Sequence, residues 1–269
     1  MAFTAADVKK LREATQAGMM ECKKALDETD GDFDKAVELL RVKGAAKAEA
    51  RAAERETSAG LVATSGNALI SLLAETDFVA KNQAFIDAAD AIAKAADQAK
   101  ANDLDTLKAV SLGDKTVGET VDELARTIGE KIELGQVAYF EGNTVVYLHK
   151  KAADLPPALG VLVEFEGDEA AAKQAAQQAA AMKAQFLTSD QVPAEVVEKE
   201  KDVLTKKTLE EGKPEAAVAK IVEGRIGAFF KEIVLLDQES VFESKKSVKQ
   251  VLDAAGTTVT QFARFDVGA

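Results

Sequence analysis

A buried-strand pattern, a polar corner and a helical pattern follow one another in this chain, and this succession constrains the fold more than any other stretch. Residues 68–74 are almost wholly apolar and predict a buried strand. Apolar residues then recur at helical spacing, at Phe85, Ile86, Ala89, Ile92, Ala93 and Ala96. The intervening residues 75–82 are therefore expected to turn the chain out of a sheet and into a helix.

The corner carries Thr76, Asp77, Phe78 and Val79. Thr76 and Asp77 are residue types that cap helix N-termini, so a helix is predicted to begin here. Phe78 then lies on the first turn among polar neighbours, and two interpretations stay open. Periodicity alone favours a staple that fastens the helix to the core. An exposed aromatic ring beside a carboxylate is instead typical of an anchor that enters a partner's pocket.

Size and charge limit the class of protein. A chain of 269 residues is long enough for roughly two domains. Its net charge is -12, and residues 1–55, 56–150 and 151–269 all lack a basic excess, which disfavours direct nucleic-acid binding. One cysteine excludes an internal disulfide, and no apolar run approaches the ~20 residues that span a bilayer. With no signal peptide at the start, these features predict a soluble cytoplasmic protein.

Residues 4–44 predict a compact unit of three short helices with turns at residue 18 and at 30–32. The apolar markers of the helices are Val8 and Leu11, then Met20, Ala25 and Leu26, then Phe33, Val37 and Leu40. So small a unit buries little area and usually serves as a docking module. Met19 and Met20 lie in a predicted loop, where methionine either fills the core or adapts to a partner surface. Residues 45–56 have high helix propensity without an apolar stripe and predict a solvated connector.

From residue 58 onward the pattern predicts an α+β core of two ββαβ-like units. The first consists of a hairpin at 61–74, helices at 83–100 and near 117–131, and a strand at 137–140. The second consists of a hairpin at 145–165, a helix at 169–186 and a strand at 262–267. The predicted division is 1–55 for the three-helix domain and connector, 56–142 for core subdomain 1 and 143–269 for core subdomain 2.

An excess of about 40 residues in the second unit predicts an inserted helical hairpin at about 188–235. Val196, Val197, Val203 and Leu204 form a repeat of seven on its first helix, and a turn is expected at 212–214. Helices joined by so short a turn pack antiparallel. The remaining apolar face either packs internally or contacts another molecule, which makes a homodimer through the hairpin one of the alternatives.

Enzymatic chemistry has little support in this sequence. It contains no Walker-type phosphate loop and no dinucleotide-binding glycine fingerprint, so no cofactor is predicted. A single His and a single Cys exclude a four-ligand His/Cys metal cluster. Cys22 is interpreted as a small buried hydrophobe. His149 stands at a strand end, where a structural histidine is the default interpretation.

Four stretches together resemble the bacterial translation elongation factor Ts family, the guanine-nucleotide exchange factors of elongation factor Tu. They are residues 11–26, 76–82, 221–225 and 262–268, so the resemblance runs nearly from end to end. It implies that the N-terminal unit is a ubiquitin-associated-like bundle. It also implies a dimerisation or partner-contact role for the hairpin, and a binding protein rather than an enzyme.

The resemblance also implies site residues. Thr76, Asp77, Phe78 and Val79 would enter the nucleotide-binding domain of elongation factor Tu, with Phe78 as a wedge near the magnesium site that dislodges Mg²⁺ and releases GDP. Arg12, Met19 and Met20 would grip the same domain. His149 would contact a different domain of that GTPase.

The sequence departs from the family pattern at Gln16, at Leu73-Ala74 and at Gly135-Gln136, where the family usually has Gly, Asn-Cys and paired basic residues. Gln16 replaces a residue that tolerates positive φ, and the other two changes are predicted in or beside core strands. Two other classes stay open. One is an adaptor that holds a different partner through the three-helix unit. The other is a structural protein assembled through the hairpin.

Overall fold

The computed structural model describes residues 3–15, 17–54 and 56–268, and for residues 44–54 it describes the backbone alone. Three N-terminal helices come first: α1 Ala5–Thr15, α2 Met19–Glu28 and α3 Phe33–Glu54. Leu11, Cys22 and Leu26 are fully buried between them. The three-helix unit and the buried Cys22 are confirmed. The predicted loop around the methionines is shorter than expected, because Met19 and Met20 already belong to the first turn of α2.

The third helix continues without a break through most of the predicted connector, as far as Glu54. High helix propensity explains this extension, since Ala, Glu, Lys and Arg dominate the stretch. Gln16 lies outside the described residues, and so does Arg55.

Residues 59–139 form a three-stranded antiparallel sheet with helices on one face. In chain order the elements are β1 Ala59–Ser65, β2 Ala68–Ala74, α4 Asp77–Ala80, α5 Gln83–Ala99, α6 Leu104–Ala109, β3 Ser111–Leu112, β4 Lys115–Thr116, α7 Val117–Ile128 and β5 Ile132–Tyr139. The sheet has the order β1-β2-β5, while β3 and β4 pair separately. Phe85 and Ile92 of α5 are fully buried against the strands. The amphipathic pattern that predicted α5 thus builds the first core.

Residues 143–266 repeat this plan around a second sheet. The elements are β6 Asn143–His149, β7 Leu159–Glu166, α8 Glu169–Ala181, α9 Ala194–Glu210, α10 Glu215–Ile233, α11 Val248–Ala254 and β8 Thr258–Asp266. The order β6-β7-β8 matches that of the first sheet, again with the second strand in the middle. The predicted α+β class with two ββαβ-like units is confirmed. The residue boundaries of the predicted subdomains stay a prediction.

The two sheets pack face to face, with helices on their outer faces. Val62, Leu69, Leu162 and Phe265 are among the buried residues that fill the space between the sheets. The amide of Val62 in β1 also donates a hydrogen bond to the Pro157 carbonyl before β7, at 2.8 Å. The middle strands β2 and β7 are therefore covered on both sides, which explains their continuous apolar runs.

Helices α9 and α10 form the predicted antiparallel hairpin. Near its tip, the Arg225 guanidinium donates to Thr208 Oγ1 at 3.0 Å and to Glu211 Oε2 at 2.6 Å, so it ties the two helices together. Val197 and Leu204 face α10. Val203 does not: it is 52% exposed, contrary to the stripe predicted from the repeat of seven. The stripe is narrower than predicted because α10 covers only one side of α9.

Gly135, one of the departures from the family pattern, lies at a β-bulge. The register between β2 and β5 shifts between Ser71 and Leu72, which leaves Gly135 without a partner in the ladder. A Cβ at this position would lie 2.6 Å from Ser71 Oγ. The Ser71 hydroxyl instead accepts a hydrogen bond from the Gln136 amide at 2.8 Å. Gly135 and the buried Ser71 are thus matched to each other at the bulge.

Candidate partner-binding site

The corner after β2 is a single helical turn, α4, with one capping residue before it and another before the helix that follows. Thr76 has extended φ and ψ angles of -131° and 155°, and its Oγ1 accepts a hydrogen bond from the Val79 amide at 3.4 Å. Asn82 caps the following helix, since its Oδ1 accepts from the Ala84 amide at 2.9 Å. These two caps let the chain leave the sheet and enter α5 within eight residues.

Phe78 projects into solvent from this turn. Its side chain is 86% exposed, whereas Val79 and Ala80 are 4% and 0% exposed and belong to the core under the corner. The staple interpretation of Phe78 is therefore wrong, and Val79 fastens the turn instead. Asp77 is exposed beside Phe78. The ring of Phe78 is therefore held on the surface by a turn that is itself anchored in the core.

The segment before β5 clamps the corner from the side. The Thr76 hydroxyl donates to the Glu130 carboxylate, with Oγ1 3.2 Å from Oε1 and 3.0 Å from Oε2. In the opposite direction, the Lys131 amide donates to Glu75 Oε1 at 2.6 Å. Gly129 ends α7 in the left-handed region, with φ 82°, and thereby directs Glu130 toward the corner. Each segment thus provides a carboxylate to the other.

An ion pair links the corner to the second subdomain. Lys81 Nζ contacts the Asp154 carboxylate in the loop between β6 and β7. The side-chain hydrogen bond from Lys81 is the largest of the effects that lower the pKa of Asp154 below its ordinary value. The loop that carries Asp154 begins directly after His149, the last residue of β6.

His149 is exposed at the end of β6 and rests on a neighbouring aromatic ring. The Tyr147 hydroxyl lies 3.2 Å from His149 Nδ1, and the two rings stack with centroids 6.2 Å apart. The Tyr147 contact holds the imidazole, while its outer edge stays accessible. The structure thus places His149 on the surface, at the end of β6.

The N-terminal bundle presents a separate surface. Arg12 is exposed, and Met19 and Met20 are 49% and 65% exposed at the start of α2. The interpretation of these methionines as core residues is therefore wrong. The apolar cluster beneath them contains only residues of the bundle, and the described contacts do not join Arg12, Met19 or Met20 to the corner.

The residues that hold the corner from other parts of the chain could not be found from the sequence. Glu130 and Asp154 lie 54 and 73 residues from Thr76 and Lys81, and a lone carboxylate in a polar loop gives no local signal. Within the part of the chain that the structure describes, there is no cluster of three or more His, Cys, Asp or Glu side chains suited to a metal ion. No helix within the described ranges is long and apolar enough to cross a membrane.

The chain is thus a two-sheet α+β protein with an exposed aromatic turn and a small N-terminal helical module. The family model described as Elongation factor TS matches residues 75–269. Elongation factor Ts of a Nocardioides species is 65% identical over 267 residues, covering 99% of both chains. The proteins of the same name from Corynebacterium jeikeium and Mycobacterium avium are each 57% identical, covering 99% of this chain and 98% of theirs. This chain belongs to the elongation factor Ts family, and its role is in translation elongation.

Proposed function

We propose that this protein binds elongation factor Tu in its GDP form and promotes the exchange of GDP for GTP. The observation that carries the proposal is the 86% exposure of Phe78 on a turn whose next two residues, Val79 and Ala80, are buried. The protein acts by binding rather than by covalent chemistry, needs no cofactor of its own and works in the cytoplasm. Its acidic character supports a protein partner over direct contact with nucleic acid.

Phe78 acts as a wedge near the magnesium site of the GTPase. Burial of a phenylalanine side chain stabilises a complex by about 1.5 to 3 kcal/mol. This binding energy displaces the element that holds Mg²⁺ and its waters. GDP then loses the main countercharge of its phosphates and dissociates.

The other residues of the site have supporting roles in this proposal. Thr76 and Val79 hold the turn, by its cap and by burial respectively, while the exposed Asp77 meets polar groups on the phosphate side. Arg12 and the two methionines of α2 grip the nucleotide-binding domain from a second direction. His149 contacts a different domain of the GTPase.

Linkage makes the effect reciprocal. If the protein weakens GDP binding by some factor, GDP must weaken the binding of the protein by the same factor. Binding is therefore transient and competitive, and incoming GTP releases the factor from the complex.

The rate of GDP release tests this function directly. Elongation factor Tu is loaded with a fluorescent GDP analogue and mixed with excess unlabelled GDP, with increasing amounts of this protein. We expect the dissociation rate to rise and then to saturate. A rate that does not depend on the protein would overturn the proposal.

Replacing Met19 and Met20 together by alanine is expected to weaken the complex about tenfold or more, because two half-exposed apolar side chains leave the interface. The affinity for nucleotide-free elongation factor Tu is measured by titration calorimetry. Met182→Ala is the matched control, since Met182 is 45% exposed at the end of α8. Unchanged affinity in the double variant would remove both residues from the interface.

Self-association through α9 and α10 is a further part of the proposal. Val203 and Leu209, 52% and 45% exposed, are the apolar side chains that the hairpin leaves open. Light scattering over a range of concentrations distinguishes a dimer from a monomer. A mass that stays monomeric at every concentration would argue against this contact.

A further inference from the structure

We propose that Glu130 is a positioning residue that fixes the direction of Phe78 by acting through the Thr76 hydroxyl. The inference rests on the proposed function, because it concerns how the same turn is prepared for its partner. Glu130 lies before β5, 52 positions after Phe78 in the chain, and needs no contact with the partner to act.

The direction of Phe78 depends on the backbone of α4. At 86% exposure the ring has little contact with the rest of the protein that could hold it. A helix of four residues has almost no stability of its own, because it closes a single turn. Contacts that hold the backbone of residues 76–80 therefore decide where the ring points.

Thr76 is the point at which these contacts meet. Its Oγ1 accepts from the Val79 amide at 3.4 Å, a long distance for such a cap, and donates to Glu130 at 3.0 to 3.2 Å. A hydroxyl that donates to a carboxylate becomes a better acceptor, so Glu130 strengthens the cap. It also fixes the Thr76 side chain in the rotamer that caps the turn.

The neighbouring residues hold Glu130 beside Thr76. Gly129 has φ 82°, which turns the chain out of α7, and Glu130 is only partly exposed next to the corner. The Lys131 amide holds Glu75 at 2.6 Å, so the segments 75–76 and 130–131 are fastened at two points. A turn ordered before binding loses less conformational entropy when Phe78 enters the partner, which favours the complex.

The chain itself offers a test that needs no partner. It contains no tryptophan, so Phe78→Trp introduces a single indole that reports on the turn. We expect Glu130→Ala in this background to lower the fluorescence anisotropy of the indole clearly, because the turn becomes mobile. Glu130→Gln is expected to retain most of the anisotropy, since its amide oxygen still accepts from Thr76. The control is Glu123→Ala, which removes a carboxylate of α7 that pairs with Lys115.

The same substitutions are then measured for GDP release in the chain that retains Phe78. Glu130→Ala is expected to lower the maximal rate roughly tenfold, and Glu130→Gln less, in line with the loss of one charge-assisted hydrogen bond. In a Thr76→Val background, Glu130→Ala is expected to add almost nothing, because the hydroxyl through which it acts is gone.

The outcomes separate this inference from the proposed function. If Glu130→Ala leaves the anisotropy unchanged, or lowers it while GDP release stays as fast as in the wild type, the positioning role is wrong. An equal further loss in the Thr76→Val background would also overturn it. If the wild type itself does not accelerate GDP release, the proposed function fails, and the anisotropy still decides whether Glu130 holds the turn.

Discussion

Phe78→Ala is expected to lower the acceleration of GDP release by roughly thirtyfold or more. Truncation of a central aromatic anchor in an interface costs about 2 kcal/mol or more, and the wedge has no substitute among its neighbours because Val79 and Ala80 are buried. The loss is expected in the maximal rate at saturating protein, since the ring acts where Mg²⁺ is displaced. Stopped-flow fluorescence with labelled GDP measures it.

The fold is expected to survive this substitution. A side chain that is 86% exposed contributes little to the core, and surface substitutions of this kind change stability by about 0.5 kcal/mol or less. Circular dichroism and the melting temperature check this. Phe242→Ala provides the matched control, because Phe242 is also well exposed, at 46%, but lies in the loop before α11. If both alanine variants release GDP as fast as the wild type, Phe78 is not the wedge.

Gly60→Ala is expected to produce the largest loss of stability. Gly60 lies in β1 opposite Leu73, with φ +137°, a region that only glycine adopts readily. An added Cβ would overlap the Leu72 carbonyl oxygen and would lie 2.9 Å from Leu73 Cα, and backbone cannot move aside. Strain and overlap together are expected to lower the free energy of unfolding by about 3 kcal/mol or more. Thermal and urea denaturation measure this change.

Gly113→Ala separates the two causes of that loss. Gly113 also has positive φ, +68°, but nothing lies within 4 Å of a Cβ built there. Gly113→Ala is therefore expected to lower the free energy of unfolding only through the strain of the left-handed backbone, by about 1 to 2 kcal/mol. If Gly60→Ala lowers the free energy of unfolding no more than Gly113→Ala does, the close approach of β1 and β2 contributes nothing to the loss.

Local patterns predicted most of the sheet and helix elements. The continuous apolar run of β2 indicates a strand that is buried on both faces, and the helical spacing after residue 83 indicates the buried face of α5. Thr76 was identified as a cap because capping depends on the residue type and its immediate neighbours. The two ββαβ-like units follow from the same kind of pattern repeated.

Other features could not be predicted, either because they depend on distant contacts or because they are too short. The helix expected to reach residue 186 ends at Ala181, because Lys183 adopts φ 53° and Phe186 pairs with Val234 instead. The polar stretch after α5 contains α6, which begins where Asp103 caps the Thr106 amide, and the short strands β3 and β4. All three elements are too short to give a periodic signal.

In the candidate site, too, local patterns predict some features and leave others open. Periodicity leaves two alternatives for Phe78, and the 86% exposure of its ring in the folded chain excludes the staple. The methionines of α2 were equally ambiguous, since methionine suits both cores and surfaces. Glu130 gave no signal at all, because its role depends on a hydrogen bond to a residue 54 positions away.

The most direct test of this mechanism is the affinity of the protein for elongation factor Tu, measured by titration calorimetry with and without saturating GDP and Mg²⁺. The GDP affinity is measured in parallel with and without the protein. If the protein and the nucleotide oppose each other's binding, GDP lowers the affinity of elongation factor Tu for the protein by some factor. The protein lowers the affinity of elongation factor Tu for GDP by the same factor. An affinity for elongation factor Tu that GDP leaves unchanged would contradict the mechanism.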